Sequence, residues 1–264
     1  MSLSFLEKLA KYEIGKSIGR GICGDIYRCR LKNHPDEIFA LKTLDKNTKR
    51  EIYREIEILK VVNHPNIIFL VDYFEDDERI YLINKYYPGG DLYKKLKATG
   101  KFPEALTKKY TRQIVMGMIY LHSKNIIHRD LKSDNIFLDE DDNAVIGDFS
   151  WAVMTNTLRK TCCGTLDYLS PEIVNGEEYG SETDIWSLGV LVYELLTDKM
   201  PFYASTYKQT YQLISKGQPD FPEILSEQAI DFIKTLLTKD REKRIKDENI
   251  LEHMWLASCE QMQN

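Results

Sequence analysis

The segment His128-Arg-Asp-Leu-Lys-Ser-Asp-Asn135 is followed, after a short β-type run at 144–146, by Gly147-Asp-Phe-Ser150. Phosphoryl transfer needs a carboxylate to orient the attacking hydroxyl, a cation against the transferred phosphate, and oxygen ligands for a hard cation such as Mg2+. Asp130, Lys132, Asn135 and Asp148 can fill those roles in that order. A single Asp or Asn in a loop is most often a turn residue. The reading therefore rests on the joint spacing of all four.

Two upstream segments supply the rest of a nucleotide site. In Ile18-Gly-Arg-Gly-Ile-Cys-Gly-Asp-Ile26, Gly19, Gly21 and Gly24 lie between two β-type runs. Glycines let a backbone approach phosphate oxygens and offer amide donors. The pattern alone is equally that of a hairpin turn, and the lack of a directly following helix argues against a dinucleotide-binding turn. In Phe39-Ala-Leu-Lys42, strand alternation puts Ala40 and Lys42 on one face, Ala40 to cover a flat base and Lys42 to meet phosphates. A lone strand lysine is usually a solvated charge. Glu55 lies on a helical stretch striped by Ile52, Ile56 and Leu59, and would hold Lys42 as an ion pair; Glu51, on the same face, is the second candidate.

These residues need elements to position them. Residues 12–82 read as short β-type runs broken by turns, around one helical stretch at 49–62, which predicts a small β-rich lobe. Tyr86-Tyr-Pro-Gly-Gly90 then interrupts the pattern. The spacing of Tyr110, Ile114, Gly117, Met118 and Leu121 predicts a helix over 104–124, and 181–197 is apolar on nearly every side from Ile185 to Leu196, which predicts a buried helix. Between them, 148–172 has no clean period, and loops of that length are usually functional or disordered.

Composition bounds the rest. The 264 residues are 43% hydrophobic and 29% charged, ordinary for a globular protein. A net charge of −5 argues against a nucleic-acid partner, which needs a concentrated excess of Lys and Arg. No apolar run suggests a membrane span, and the opening residues lack the pattern of a secretory signal. Five cysteines, an odd number without metal-ligand spacing, argue against a disulfide or zinc framework and for a reducing cytoplasmic or nuclear compartment.

From 12 to 256 the sequence resembles the protein kinase superfamily. Ser170-Pro-Glu172 stands where the activation segment closes, Asp184-Ile-Trp186 opens the buried helix, and Arg244 sits where a late arginine pairs with Glu172. Lys132 favours a Ser/Thr over a Tyr kinase. Within the superfamily, Cys163-Gly-Thr-Leu-Asp-Tyr-Leu169 and Ser205-Thr-Tyr-Lys-Gln-Thr-Tyr211 resemble Aurora kinases. The resemblance implies an α+β, bilobal protein kinase fold: a β-rich N-lobe at 12–84 with one regulatory helix, a hinge at 84–90, a larger helical C-lobe at 91–256, and short tails at 1–11 and 257–264. With so short a segment before Tyr12, regulation by a long N-terminal extension is not expected from this sequence.

The resemblance also implies a chemistry. ATP and Mg2+ are the expected cofactors, with Asp130, Lys132, Lys42 and Glu55 catalytic and Asn135 and Asp148 on the metal. Ile18, Gly19, Gly21, Gly24, Ile26, Ala40, Lys42, Lys85 and Tyr87 would surround the nucleotide, with Phe137 under the base and Asp91 accepting from the ribose. The backbone of 84–87 would read the adenine edge. Thr161 matches an activating phosphothreonine with Arg129 as its phosphate partner, and Arg159-Lys-Thr resembles a basic substrate context, which suggests autophosphorylation. Asp134 and Glu194 would hold a substrate arginine, beside Thr165 at the substrate; alternatively Glu194 pairs internally. Protein substrates with basic Ser/Thr sites, an Aurora-type activator on the N-lobe, a monomeric kinase domain, and spindle, centrosome or chromosome association follow by analogy. The rival readings are a pseudokinase scaffold and a basophilic kinase of another group.

Three positions depart from the pattern. Ser150 replaces a glycine, and a Cβ there should restrict the metal-binding loop because it disfavours positive φ. Asn84 stands where a larger apolar side chain or a threonine backs the adenine pocket. Cys23 replaces an aromatic at the tip of the glycine loop, as an alkylation handle or an ordinary small side chain. Adjacent Cys162 and Cys163, beside Thr161, suggest a redox influence on the activation loop.

Overall fold

The computed structural model describes residues 5–21 and 24–257, so Cys23 lies outside the described residues. Five strands form the small lobe: β1 (Tyr12–Gly21), β2 (Gly24–Leu31), β3 (His34–Asp45), β4 (Leu70–Glu75) and β5 (Arg79–Lys85), antiparallel in the order β1-β2-β3-β5-β4. Alternation along β3 separates two environments. Phe39 and Leu41 join Tyr12, Cys29, Phe74 and Ile83 in a small core on the outer face, while Ala40 and Lys42 face the interlobe cleft.

A short helix, α1 (Phe5–Leu9), precedes the sheet. Lys8 pairs with Asp72 of β4 at 3.0 Å, and Leu9 packs against the outer core, so part of the expected tail belongs to the lobe. The second helix, α2 (Lys49–Val61), buries Ile52 and Ile56 against Leu44, Ile80 and Leu82. Its register turns Glu55 inward and leaves Glu51 exposed. β5 extends through Lys85, so Asn84 and Lys85, expected in the hinge, lie in the sheet instead, paired with Ala40 and Phe39 of β3. The ladder hydrogen bonds available from β3 extend the strand that far.

The large lobe is built from α3 (Leu92–Thr99), α4 (Glu104–Ser123), α5 (Pro171–Val174), α6 (Glu182–Thr197), α7 (Tyr207–Lys216), α8 (Glu227–Leu236), α9 (Asp247–Ile250) and α10 (Met254–Ala257). The helix α6 is buried from Thr183 to Leu196, as its all-round apolarity predicts, and packs against α4 and α8. Short strand pairs β6 (Ile126–Ile127) with β9 (Val153–Met154), and β7 (Ile136–Leu138) with β8 (Ala144–Ile146), fix both ends of the loop at 128–135 and the start of the following segment. The segment at 148–172 is mostly irregular but anchored: β9 holds its first part, and Arg159 pairs through backbone with Tyr179. Behind it, Glu172 and Arg244 form a buried bidentate pair at 2.8 and 3.0 Å. No helix among the described residues is long and apolar enough to cross a membrane.

Candidate active site

A cleft of about 510 Å³ lies between the lobes. It is lined by Ile18, Gly19, Ile26, Ala40, Lys42, Glu55, Lys85, Tyr87, Asp91, Asp134, Asn135, Phe137 and Asp148, so the structure gathers most of the predicted set. A larger hollow, about 720 Å³, lies behind the hinge around Phe39, Phe69 and Tyr86, and holds none of the candidate catalytic side chains.

At one end the cleft is apolar and flat. Ala40 covers it from β3, and the ring of Phe137 stacks on Tyr87 at 6.3 Å and 18°. Gly21 and Gly24 pair at the turn end of the β1–β2 hairpin, and a Cβ on Gly24 would overlap the Thr43 carbonyl oxygen. Close packing of β2 on β3 therefore requires glycine at 24. Asp91 also has a local task. It caps α3 by accepting from the Lys94 amide at 2.8 Å, and its other oxygen pairs with the Lys94 ammonium. Lys85 directs its ammonium toward Glu140, 3.6 Å away.

At the other end the cleft is charged. Lys42 Nζ lies 2.9 Å from Glu55 Oε1 and 3.3 Å from Asp148 Oδ1. Glu55, 4% exposed, is the partner, and the Glu51 alternative falls. Burial disfavours the charged ammonium, but Glu55 and Asp148 outweigh it and raise the Lys42 pKa. Burial likewise opposes ionisation of Asp148, yet Lys42 and a hydrogen bond from Ser150 hold its carboxyl down at about 2.

Below, Asp130 is fixed on both oxygens. Thr165 donates to Oδ1 from its amide at 3.0 Å and its hydroxyl at 2.7 Å. Asn135 Nδ2 donates to Oδ2 at 3.0 Å, with Lys132 Nζ 3.1 Å from the same atom. Lys132 also donates to the Thr165 hydroxyl at 2.7 Å. The loop carrying Asp130 hangs on Asp184 of α6, whose buried carboxylate accepts from the amides of His128 and Arg129, each at 2.8 Å. Arg129 sits at φ 69°, a left-handed conformation that two such anchors can hold.

The donor set suits a divalent cation bound together with phosphates. Because Asn135 directs its Nδ2 at Asp130, its carbonyl oxygen is the free end, and the Asp148 carboxylate is half-open to the cleft. Among the described residues no cluster of three or more His, Cys, Asp or Glu could hold a metal by itself. One amide and one carboxylate oxygen match Mg2+, which takes few protein ligands when phosphates and water supply the rest. The positive φ of this turn, 54°, belongs to Asp148, and Ser150 is not among the residues of positive φ.

For Glu194 the sequence left two readings open. Its carboxylate is 2% exposed and accepts from Ser133 at 3.2 Å and from the Tyr168 hydroxyl, so the internal pairing is the one observed. Asp134, by contrast, is exposed at the cleft mouth.

Around the activation segment the structure adds residues that spacing did not reveal. Arg129 donates to the Trp151 carbonyl at 2.7 Å and to the Tyr179 hydroxyl at 3.2 Å, and Tyr179 in turn donates to the Thr161 carbonyl at 2.7 Å. Burial, then Arg129 and Arg159, push the Arg54 guanidinium below its ordinary value. The Nε atoms of Arg54 and Arg159 are buried without partners among the described residues. Three arginines thus lie close to one another, and Arg129 reaches the backbone of exposed Thr161 through Tyr179. The available signal was the position of Arg54 beside Glu55, one step round the same helix. Cys162 is exposed, while Cys163 is buried and burial raises its thiol pKa.

A protein kinase domain profile matches residues 12–256. Serine/threonine-protein kinase Aurora-2 of Arabidopsis thaliana is 40% identical over 254 residues, covering 93% of this chain and 90% of that protein. Aurora/IPL1-related protein kinase 2 of Caenorhabditis elegans is 39% identical over 252 residues, covering 93% and 82%. Aurora kinase A-A of Xenopus laevis is 38% identical over 261 residues, covering 96% of this chain, which spans 64% of that relative's length. With the lobes, cleft and catalytic loop in place, the chain belongs to the protein kinase family and, within it, to the Aurora kinases.

Proposed function

We propose that this chain is a Ser/Thr protein kinase that transfers the γ-phosphate of ATP to serine or threonine in basic sequence contexts. The observation that carries the reading is Asp130, held in an acceptor-only posture by Asn135, Thr165 and Lys132 at one end of a cleft that also contains the Lys42–Glu55–Asp148 chain. Asp130 accepts from a hydroxyl donor, as the Thr165 contact illustrates, and would orient a substrate hydroxyl in the same way. Lys132, beside Asp130 and Thr165, would bring its charge to the transferred phosphate. Lys42, fixed by Glu55, would meet the other phosphates, and the base would lie at the apolar end between Ala40 and Phe137. A divalent cation on Asn135 and Asp148 would neutralise phosphate charge.

Activation follows from the arginine cluster. A phosphate on Thr161 would pair with Arg54, Arg129 and Arg159 and order the segment that carries Thr165, through charge-assisted hydrogen bonds. The Arg159-Lys160-Thr161 context makes the chain a candidate for its own substrate. The exposed Asp134 carboxylate supports a preference for basic substrates. Exposed Tyr53 and Val61 on α2 leave a surface for an activating protein on the small lobe, where the family analogy puts one. The same analogy suggests a mitotic role at spindle, centrosome or chromosome, in the cytoplasm and nucleus.

The test is radiolabelled transfer from Mg2+-ATP to a basic Ser/Thr peptide, comparing the unaltered chain with Asp130→Asn and mapping phosphate on the enzyme. Loss of transfer by about 10²–10⁴-fold in the variant, with ATP affinity retained, is expected. ATP binding without transfer by the unaltered chain, even with Thr161 phosphorylated, would return the scaffold reading.

A further inference from the structure

Asn84 stands in β5 between Ala40 of β3 and Leu70 of β4. Its side chain lines the cleft near Ala40, Leu59 and Ile68. The residue is 6% exposed, and its Oδ1 has no partner among the described residues. A buried amide oxygen among apolar groups forfeits the hydrogen bonds of water and favours whatever returns one. A ligand that displaces water from this end of the cleft must present a donor or leave the oxygen stranded.

The polarity of the cleft says which edge of a ligand arrives there. Lys42, Asn135 and Asp148 gather at the charged end, so a triphosphate goes that way and the base lies against Ala40, the register partner of Asn84. We infer that Asn84 is a specificity-determining residue of the nucleotide cleft, its Oδ1 accepting from the exocyclic amino group of a 6-aminopurine. A purine with hydrogen at that position leaves the acceptor unpaired, and one with an oxo group sets two acceptors against each other. The inference rests on the kinase reading and adds the residue that selects the base.

Because the backbone of 84–87 is also expected to read the amino group, the side chain's share is isolated by a cycle. Dissociation constants would be measured by calorimetry for ATP, purine riboside triphosphate and inosine triphosphate, with the unaltered chain and with Asn84→Leu. The preference for ATP over the amino-less nucleotide should shrink roughly fivefold in Asn84→Leu, the size of one neutral hydrogen bond. The nucleotide-free variant should melt no lower than the unaltered chain, because an orphaned polar atom has been removed; an Asn with a purely structural role would give a lower midpoint. If Leu prevents folding, Asn84→Ala gives the same ratio. An unchanged ratio, or a preference of the unaltered chain for the 6-oxo nucleotide, overturns the inference alone. Binding of none of the three by the unaltered chain overturns the kinase reading and this inference with it.

Discussion

Replacing Arg244 by methionine removes a cation from one of the least accessible places in the large lobe. Arg244 is 1% exposed and Glu172 2%. The guanidinium donates to both Glu172 oxygens at 2.8 and 3.0 Å, to the Glu182 carbonyl at 2.7 Å and to the Thr238 carbonyl at 3.0 Å. Methionine fills much of the volume but leaves the Glu172 carboxylate without its counter-charge. Breaking a buried pair from one side costs ~3–5 kcal/mol. At about 2–4 °C per kcal/mol for a chain of this size, the thermal midpoint should fall by roughly 6–20 °C. The double variant Glu172→Leu/Arg244→Met removes the stranded charge as well and should be less destabilised than the sum of its two single variants. Urea and thermal unfolding of the four proteins measure this. A cost below ~1 kcal/mol for Arg244→Met, or strict additivity, would refute the argument that uncompensated charge dominates.

Three further outcomes follow from particular contacts. His122 is buried between Asp184, 3.0 Å away, and Asp247, 2.7 Å away; burial opposes its charge, but the two carboxylates raise its pKa from 6.5 to about 9. A group raised on folding stabilises fully below its unfolded pKa and loses that contribution as pH rises through the folded one. Urea midpoints should therefore decline between about pH 6.5 and 9, and His122→Gln should flatten that part of the profile. Phosphorylation of Thr161 should raise both activity and thermal midpoint, and Arg54→Ala should abolish most of the midpoint gain while nucleotide affinity persists; an undiminished gain would remove Arg54 from the phosphate site. Iodoacetamide or mild peroxide, followed by peptide mapping, should modify exposed Cys162 well before buried Cys163; the reverse order would contradict the burial of Cys163.

Local pattern and spacing determined much of this protein. The stripe of Ile52, Ile56 and Leu59 determined that 49–62 would be a helix, and the all-round apolarity of 185–196 determined that α6 would be buried, because helical period and hydrophobic burial act within one element. The spacing from His128 to Asn135 and on to Asp148 likewise brought Asp130, Lys132, Asn135 and Asp148 together, since one loop and a short hairpin carry them. What the tertiary structure decided depends on side chains far apart in sequence meeting across elements. Glu55 rather than Glu51 meets Lys42 because the packing of α2 on β5 sets its rotation. Glu194 is drawn inward because Ser133 and Tyr168 bring donors to it, Thr165 reaches Asp130 across the activation segment, and Arg54 joins Arg129 and Arg159 only once α2 lies beside that segment. Charge and hydrogen-bond partners in a protein interior are properties of that packing, and the one-dimensional order of residues does not contain it.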